Sequence, residues 1–514
     1  MRKLLLATVA GLGAWGALAS DANAQASSSS QTPIQSGAVY SPYMGAVTPK
    51  AANPTPGTVV VRLNGRIRFY AYAAFDRDAD NNAQGSATGT VNAAGRGTLS
   101  GGNKQANYGF GEYARLYPGF DGVAANGLKY GGSLEIRQDQ SSGAGGGIYG
   151  SISQQDRARS GLYFRRVWGY LGTDQVGTVR LGAIDQPTSL YLTGNFENFN
   201  DGGFNGDLAF LTSGATLPAW PFSDVGSYYT TNKIVYLSPQ LFGFDLGASF
   251  EPSTANVSNQ NNCGAGGPVG TNFVNPQGSF QSAAGANGQG VSGPGCDRLS
   301  STPINGETGR RRNTFDVLLR YRGSFGPLGV ALTGAYIGGG HVQDSQTGVA
   351  YNNNPTNGQT VRRNFDGLSV GDFGAAVTLA GLSVGGHYTT GRWNGYVGGL
   401  VPKGLPDSNA WIAGASYTFG PAIVGASWFV NEGPGDLNNA FFGRTRREQG
   451  INVGGTYSLA PGVSIFLSGL WGQRKQNGFN FVTGQGVTAT TPNGNPFSNN
   501  VTMSAASIGT AFSW

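Results

Sequence analysis

The chain has 514 residues, of which 39% are hydrophobic, only 12% are charged and 87 are glycine, with a formal net charge of +6. That charged share is about half the usual one for a soluble protein, and so much glycine with so little Glu and Lys excludes a helix-rich core. The basic set is 26 Arg against 7 Lys, scattered along the chain.

The first 24 residues, MRKLLLATVAGLGAWGALASDANA, place Arg2 and Lys3 before an apolar run from Leu4 to Ala19 and close on Ala22-Asn23-Ala24. This is the pattern of an export signal cleaved before Gln25, so a mature chain outside the cytoplasm is expected. Scattered arginines in an exported chain do not describe a nucleic-acid partner. GLGAWG at 11–16 is literally G-x-G-x-x-G, but it lies inside the signal with no strand before it, which excludes a nucleotide site. After Gln25 no uncharged apolar run approaches the ~18 residues a spanning helix needs. Residues 25–57 are Ser/Pro-rich and aperiodic, a flexible lead segment; residues 58–514 read as one domain.

Alternation begins at Val59. In VVVRLNGRIRFYAY, Val61, Leu63, Ile67 and Phe69 alternate with Arg62, Asn64, Arg66, Arg68 and Tyr70, a period of two rather than 3.6. The code recurs in LKYGGSLEIR, where Tyr130, Leu134 and Ile136 oppose Lys129, Ser133, Glu135 and Arg137. It recurs again in NTFDVLLRYR, where Phe315, Val317 and Leu319 oppose Asp316 and Arg320. Tight turns near 121, 238, 324, 380, 419 and 460 take turns with long polar stretches near 76–107, 140–158, 185–226, 253–312, 339–364, 393–407, 432–447 and 474–499. That rhythm predicts an all-β, up-and-down antiparallel barrel of about sixteen strands, with the short turns at one end.

Alternation alone does not say which face is wet. Arginines inside strands, aromatic pairs at strand ends and the need of a lipid-exposed backbone for closure favour a membrane barrel with apolar residues outward. The pairs Tyr70/Tyr72, Trp168/Tyr170 and Tyr417/Phe419, with Trp428, Trp471, Phe512 and Trp514, are expected in interfacial girdles. In ASIGTAFSW the alternation puts Ile508, Phe512 and Trp514 on the lipid face, with Trp514 at a rim where its ring meets lipid and its NH meets water. Cys263 and Cys296 flank a Gly/Asn/Ser-rich stretch. In an oxidising compartment they are expected to pair, at about 3–4 kcal/mol by chain entropy; two free thiols are the alternative.

Three stretches resemble the general, trimeric, sixteen-stranded porins of Gram-negative outer membranes. They are YARLYPGFDGVAANGLKYGGSLEIRQ at 113–138, FRRVWGYLGTDQVGTVRLGAIDQP at 164–187 and, most specifically, TTNKIVYLSPQLFGFDLGASF at 230–250. The resemblance implies a homotrimer, an assembly-machinery partner that reads a final aromatic strand (here Phe512 and Trp514), and a third loop, about 185–226, folded into the lumen. In the family that loop sets acids against an arginine wall to make the pore constriction. Leu181 to Asn232 holds no Lys or Arg but does hold Asp185, Glu197, Asp201, Asp207 and Asp224, which are taken as the acidic side. Arg115 and one of Arg165 or Arg166 match the family's wall, with a one-residue register left open. Arg62, Arg66, Arg68 and Arg180 are lumenal by alternation. Two departures from the family pattern, Asp224 and Ala183 where arginines often stand, suggest a rearranged wall in which Arg180 and Arg62 substitute.

Acids facing arginines across a narrow passage set up a transverse field that passes polar solutes and delays apolar ones. The expected function is therefore an outer-membrane porin for passive diffusion of small hydrophilic solutes and ions, in contact with outer-membrane lipid and needing no cofactor. The alternatives are a solute-selective channel for anions such as phosphate, or sugars; an exported β-rich adhesin; and a barrel hydrolase. The acids could instead hold calcium, but their spacing matches no ion-loop pattern, and the two cysteines do not make a metal site. A hydrolase would need a His paired with Ser or Asp; His341 and His387 are the only histidines, and HVQDSQ around His341 is read as a loop with no oriented partner. No catalytic residue is assigned.

Overall fold

The computed structural model describes residues 54–75, 83–84, 103–104, 108–139, 162–210, 217–218, 220–222, 231–253, 273–274, 280–281, 312–339, 365–366, 368–393, 401–402, 406–433, 445–477, 479–480, 485–486 and 500–514. Asp224, Cys263, Cys296 and His341 lie outside them.

Sixteen antiparallel strands follow one another around a closed barrel. They are β1 (Thr58–Phe75), β2 (Tyr108–Val123), β3 (Lys129–Asp139), β4 (Tyr163–Thr173), β5 (Gly177–Ile184), β6 (Thr231–Leu237), β7 (Phe244–Ser253) and β8 (Arg312–Phe325). The second half comprises β9 (Leu328–Gly338), β10 (Ser369–Leu379), β11 (Leu382–Arg392), β12 (Ser408–Phe419), β13 (Ala422–Gly433), β14 (Arg446–Ala460), β15 (Val463–Lys475) and β16 (Asn500–Ser513). The turns after β2, β4, β6, β8, β10, β12 and β14 are short, and the other connections are long. The seam is shut by β16 on β1, running from Arg66↔Ser513 to Phe75↔Ser504. Closure pairs the backbone of every strand on both sides and leaves no edge, the condition for a sheet to stand in hydrocarbon.

The period-two code resolves into an inverted exposure pattern. Leu319 is 51% exposed while the next residue, Arg320, is 7% exposed. Phe69 and Arg68, Val167 and Arg166, and Phe373 and Asp372 behave alike. The apolar residues face outward and the charges face the lumen, as lipid outside and water inside require. Tyr417, Phe419, Trp428, Phe512 and Trp514 stand outward, as girdle residues must.

Two aromatic pairs do not. Tyr70 is buried in the lumen on Tyr113 and Phe466, with Tyr72 packed against that cluster. Trp168 and Tyr170 also face inward: the Trp168 ring lies under Arg180, 4.9 Å from its Cζ, and the Tyr170 hydroxyl donates to Asp121 at 2.6 Å. Composition marks an aromatic near a strand end, but only the parity of the register decides which solvent it meets.

Candidate functional site

The described part of the connection after β5 lies inside the barrel. It forms α1 (Pro187–Leu190), a single 3-10 turn (Gly203–Asn205) and α2 (Asp207–Phe210), and residues 192–205 are buried apart from the half-buried Asn198. The wall holds it stepwise. Asp316 of β8 accepts from the Thr188 amide and hydroxyl, both at 2.7 Å, which satisfies an orphan donor at the start of α1. Phe196, Phe199 and Phe204 then sit on Gly414, Gly425 and Gly450 of β12, β13 and β14, where any added Cβ would overlap the ring. Asn200 donates to Asn452 at 2.6 Å, and Thr456 donates to the Phe199 carbonyl at 3.0 Å. Gly202 and Gly203, at φ 113° and 60°, turn the chain through the left-handed conformation the 3-10 turn needs.

This path delivers Asp207 to the arginine wall. Its carboxylate lies 3.9 Å from Arg68 Nη1 and 3.9 Å from Arg115 Nη2. Arg66, Arg68 and Arg115 surround the Tyr113 ring, with Cζ at 5.3, 5.5 and 4.4 Å from its centroid. The ring face offsets part of the mutual repulsion of three guanidinium groups. Fixed charge, planar geometry and weak hydration make Arg the side chain suited to such a wall.

A second cluster stands beside the first. Arg166 holds Asp185 at 2.7 Å and also binds Glu135, which accepts from Arg137 and, at 3.0 Å, from Arg165. The choice between Arg165 and Arg166 dissolves here. Glu135 pairs with Arg166 while Ile136 pairs with Phe164, so a β-bulge leaves Arg165 as the extra residue. A bulge re-aims a side chain, and both arginines reach the same carboxylate.

The remaining candidates lie elsewhere. Arg62 does not substitute in the wall: it pairs with Asp121, where β1 runs past β16 at the short-turn end. Arg180 packs on Trp168 and lies within electrostatic reach of Asp185. Glu197 accepts from Asn195 at 2.8 Å, and the Phe rings flanking it rest on β12 and β13. Asp201 turns into its own loop: it accepts from the Leu208 amide at 3.1 Å, the Gly203 amide at 3.3 Å and Ser468 at 2.9 Å. Burial pushes its carboxyl above the ordinary carboxylate range, and neighbouring Asp207 pushes it the same way against Arg68. Phe512 and Trp514 are 41% and 52% exposed on the outer face, and the Trp514 ring covers Gly65.

Sequence reasoning passed over Glu135, the acid that organises three arginines, although it shares the alternating face with Arg137. It also passed over the wall acids Asp316 and Asp372, which the same alternation marks. Asp372 Oδ2 lies 2.8 Å from His387 Nε2, so this histidine does have an oriented carboxylate.

A family model described as a Gram-negative porin matches residues 8–477. No curated protein matches the chain. Among solved structures, the chain is similar to OmpT, an outer-membrane protein of Vibrio cholerae, at 11% identity over 90% of this chain and 100% of that one, with a TM-score of 0.47. It is similar to Salmonella typhi OmpF at 13% identity, covering 88% and 97% of the two chains, with a TM-score of 0.43. A mutant Rhodopseudomonas blastica porin is similar at 13% identity, 88% and 100% coverage and a TM-score of 0.40.

Proposed function

The chain belongs to the Gram-negative porin family and forms an outer-membrane channel; from that premise we propose that solutes diffuse through the lumen past Asp207 of the inward loop and the Arg66, Arg68 and Arg115 wall, which together line the constriction. The observation that carries this reading is the pair of 3.9 Å approaches of one loop carboxylate to two wall arginines. At that separation the charges are near enough to set up a transverse field and too far apart to close into one bidentate pair. Small hydrophilic solutes and ions realign in such a field, and apolar ones must break ordered water. The site does this by position alone, without a catalytic group or a cofactor. In this reading the chain is exported through a cleaved segment 1–24, Cys263 and Cys296 pair, the barrel assembles through recognition of its aromatic last strand, and three copies associate in the lipid.

The test is single-channel recording in planar bilayers with a salt gradient. Asp207→Asn is expected to move the reversal potential toward anions and Arg115→Ala toward cations, with unit conductance changing less than twofold. An unchanged reversal potential in both variants would overturn this placement of the filter.

A second reading, a channel preferring anions, is favoured by the charge on this wall. Arg66, Arg68, Arg115, Arg137, Arg165 and Arg166 meet the carboxylates Glu135, Asp185 and Asp207 there, with Asp201 bonded into the loop. A wild-type reversal potential on the anion side decides for it.

A further inference from the structure

The third loop meets β10 and β11 at a point that the filter does not use. The Thr193 carbonyl lies flat against Gly374, where an added Cβ would overlap it. His387 reaches it from β11, with Nδ1 2.8 Å from the Thr193 oxygen. The other ring nitrogen, Nε2, is 2.8 Å from Asp372 Oδ2, which also accepts from Thr389 Oγ1 at 2.8 Å. The edge of Phe222 covers the imidazole, with centroids 5.8 Å apart. His387 is 3% exposed and Asp372 1%.

The hydrogen-bond count constrains the protons. A peptide carbonyl only accepts, so Nδ1 carries a hydrogen. Nε2 faces a carboxylate oxygen, so a second proton must lie on Nε2 or on Asp372. A neutral ring beside an ionised carboxylate would aim a nitrogen lone pair at an anion. The docked arrangement therefore holds one proton more than a neutral histidine with an ionised aspartate. Among the described residues no other group packed on the ring can supply it: β12 contributes Ile412 and Ala410, and the loop contributes Thr193 and Phe222. The next charged groups are Asp316 on β8, within electrostatic reach of Asp372, and Lys233 on β6.

We propose that His387, Asp372 and the Thr193 carbonyl form a proton-loaded clamp that holds the third loop against the wall and lets go as the pH rises. His387 is a positioning residue, acting on the passage through the loop; the inference rests on the channel reading above. The sign follows from linkage. The docked arrangement requires the extra proton on the His387–Asp372 pair, and in the proposal a pair released to water can give it up, so docking is strongest on the acid side and weakens as the proton is lost.

The test uses the purified full-length protein in planar bilayers, stepped from pH 5 to 9, and reads the frequency of current excursions in the open channel. Loss of one charge-assisted hydrogen bond predicts a rise of about tenfold in wild type across a one-proton step. Asp372→Asn is the decisive variant. Its amide donates to Nε2 of a neutral ring, Nδ1 keeps its hydrogen for Thr193, and the channel is expected to stay quiet and flat across the range. His387→Gln is expected to be noisy and flat. A step that persists in Asp372→Asn, or a flat wild-type profile in a conducting channel, overturns the clamp; absence of any conductance overturns the channel reading instead. Heat-dependent gel mobility checks that each variant is a folded barrel, and if His387→Gln is not, Asp372→Asn carries the test alone.

Discussion

The two sides of the lumen hold the third loop by opposite means. On β1–β4 the wall is crowded with guanidinium groups, and the loop meets it through carboxylates, Asp207 toward Arg68 and Arg115 and Asp185 on Arg166. On β12–β14 three glycines bare the backbone, and the loop meets the wall through phenyl rings seated on Gly414, Gly425 and Gly450, helped by neutral hydrogen bonds to Asn452 and Thr456. The charged side holds the loop by one close ion pair, Asp185 on Arg166, and by looser contacts of Asp207 at 3.9 Å; the glycine side permits ring-on-backbone contact. A channel needs both, because a loop anchored by ion pairs alone would neutralise the field it is there to create. The glycines hold the loop, and Arg68 and Arg115 can then face Asp207 without closing onto it.

Filling the glycine side should have the largest effect. Gly414→Leu combined with Gly425→Leu removes the seats of Phe196 and Phe199, and overpacking costs about 1–3 kcal/mol at each site. The loop is expected to leave the wall, read as increased unit conductance with the barrel still heat-modifiable on gels; an unchanged conductance would show that the phenyl seats do not hold it. Breaking the charged side comes next. Glu135 is buried and accepts from Arg137, Arg165 and Arg166. Removing one partner of a buried ionic network costs ~3–5 kcal/mol, so Glu135→Gln is expected to lower the temperature of barrel unfolding and shift the reversal potential toward anions. The smallest effect is expected at Asp201. Its raised carboxyl binds a proton more tightly in the docked loop, so docking gains stability as pH falls through the docked value and loses it as pH rises through it. Asp201→Asn should flatten that acid-side dependence of the unfolding temperature, a change of about 1–2 °C; an equal slope in both proteins counts against it.

Strand, turn and solvent side were legible in the residues. The alternation of Phe315, Val317 and Leu319 with Asp316 and Arg320 specified a pleated strand and its two faces, and the rhythm of short and long connections specified sixteen strands, because side-chain parity and turn chemistry are local properties. The lumenal side of Arg66 and Arg68 followed from the same parity, and Arg115 from the resemblance of its stretch to the porins. What parity could not supply was the partner of each inward residue. Arg62 meets Asp121 and Arg180 meets Trp168, while Asp201 meets its own loop; these pairings depend on the register between strands and on how far the loop travels inside the barrel. A bulge at Arg165 sent two consecutive arginines to one carboxylate, which no strict alternation predicts. The glycines of β12–β14 carry no sequence signal of a docking role, since an absent side chain becomes a binding surface only when something folds against it. The sequence by itself determined the barrel and the two faces of its regular strands, through short-range sterics and the two solvents, but not the side taken by Trp168 and Tyr170 or by the bulged Arg165. Only the tertiary structure decided which charges meet, because lumenal distances are set by closure of the whole sheet.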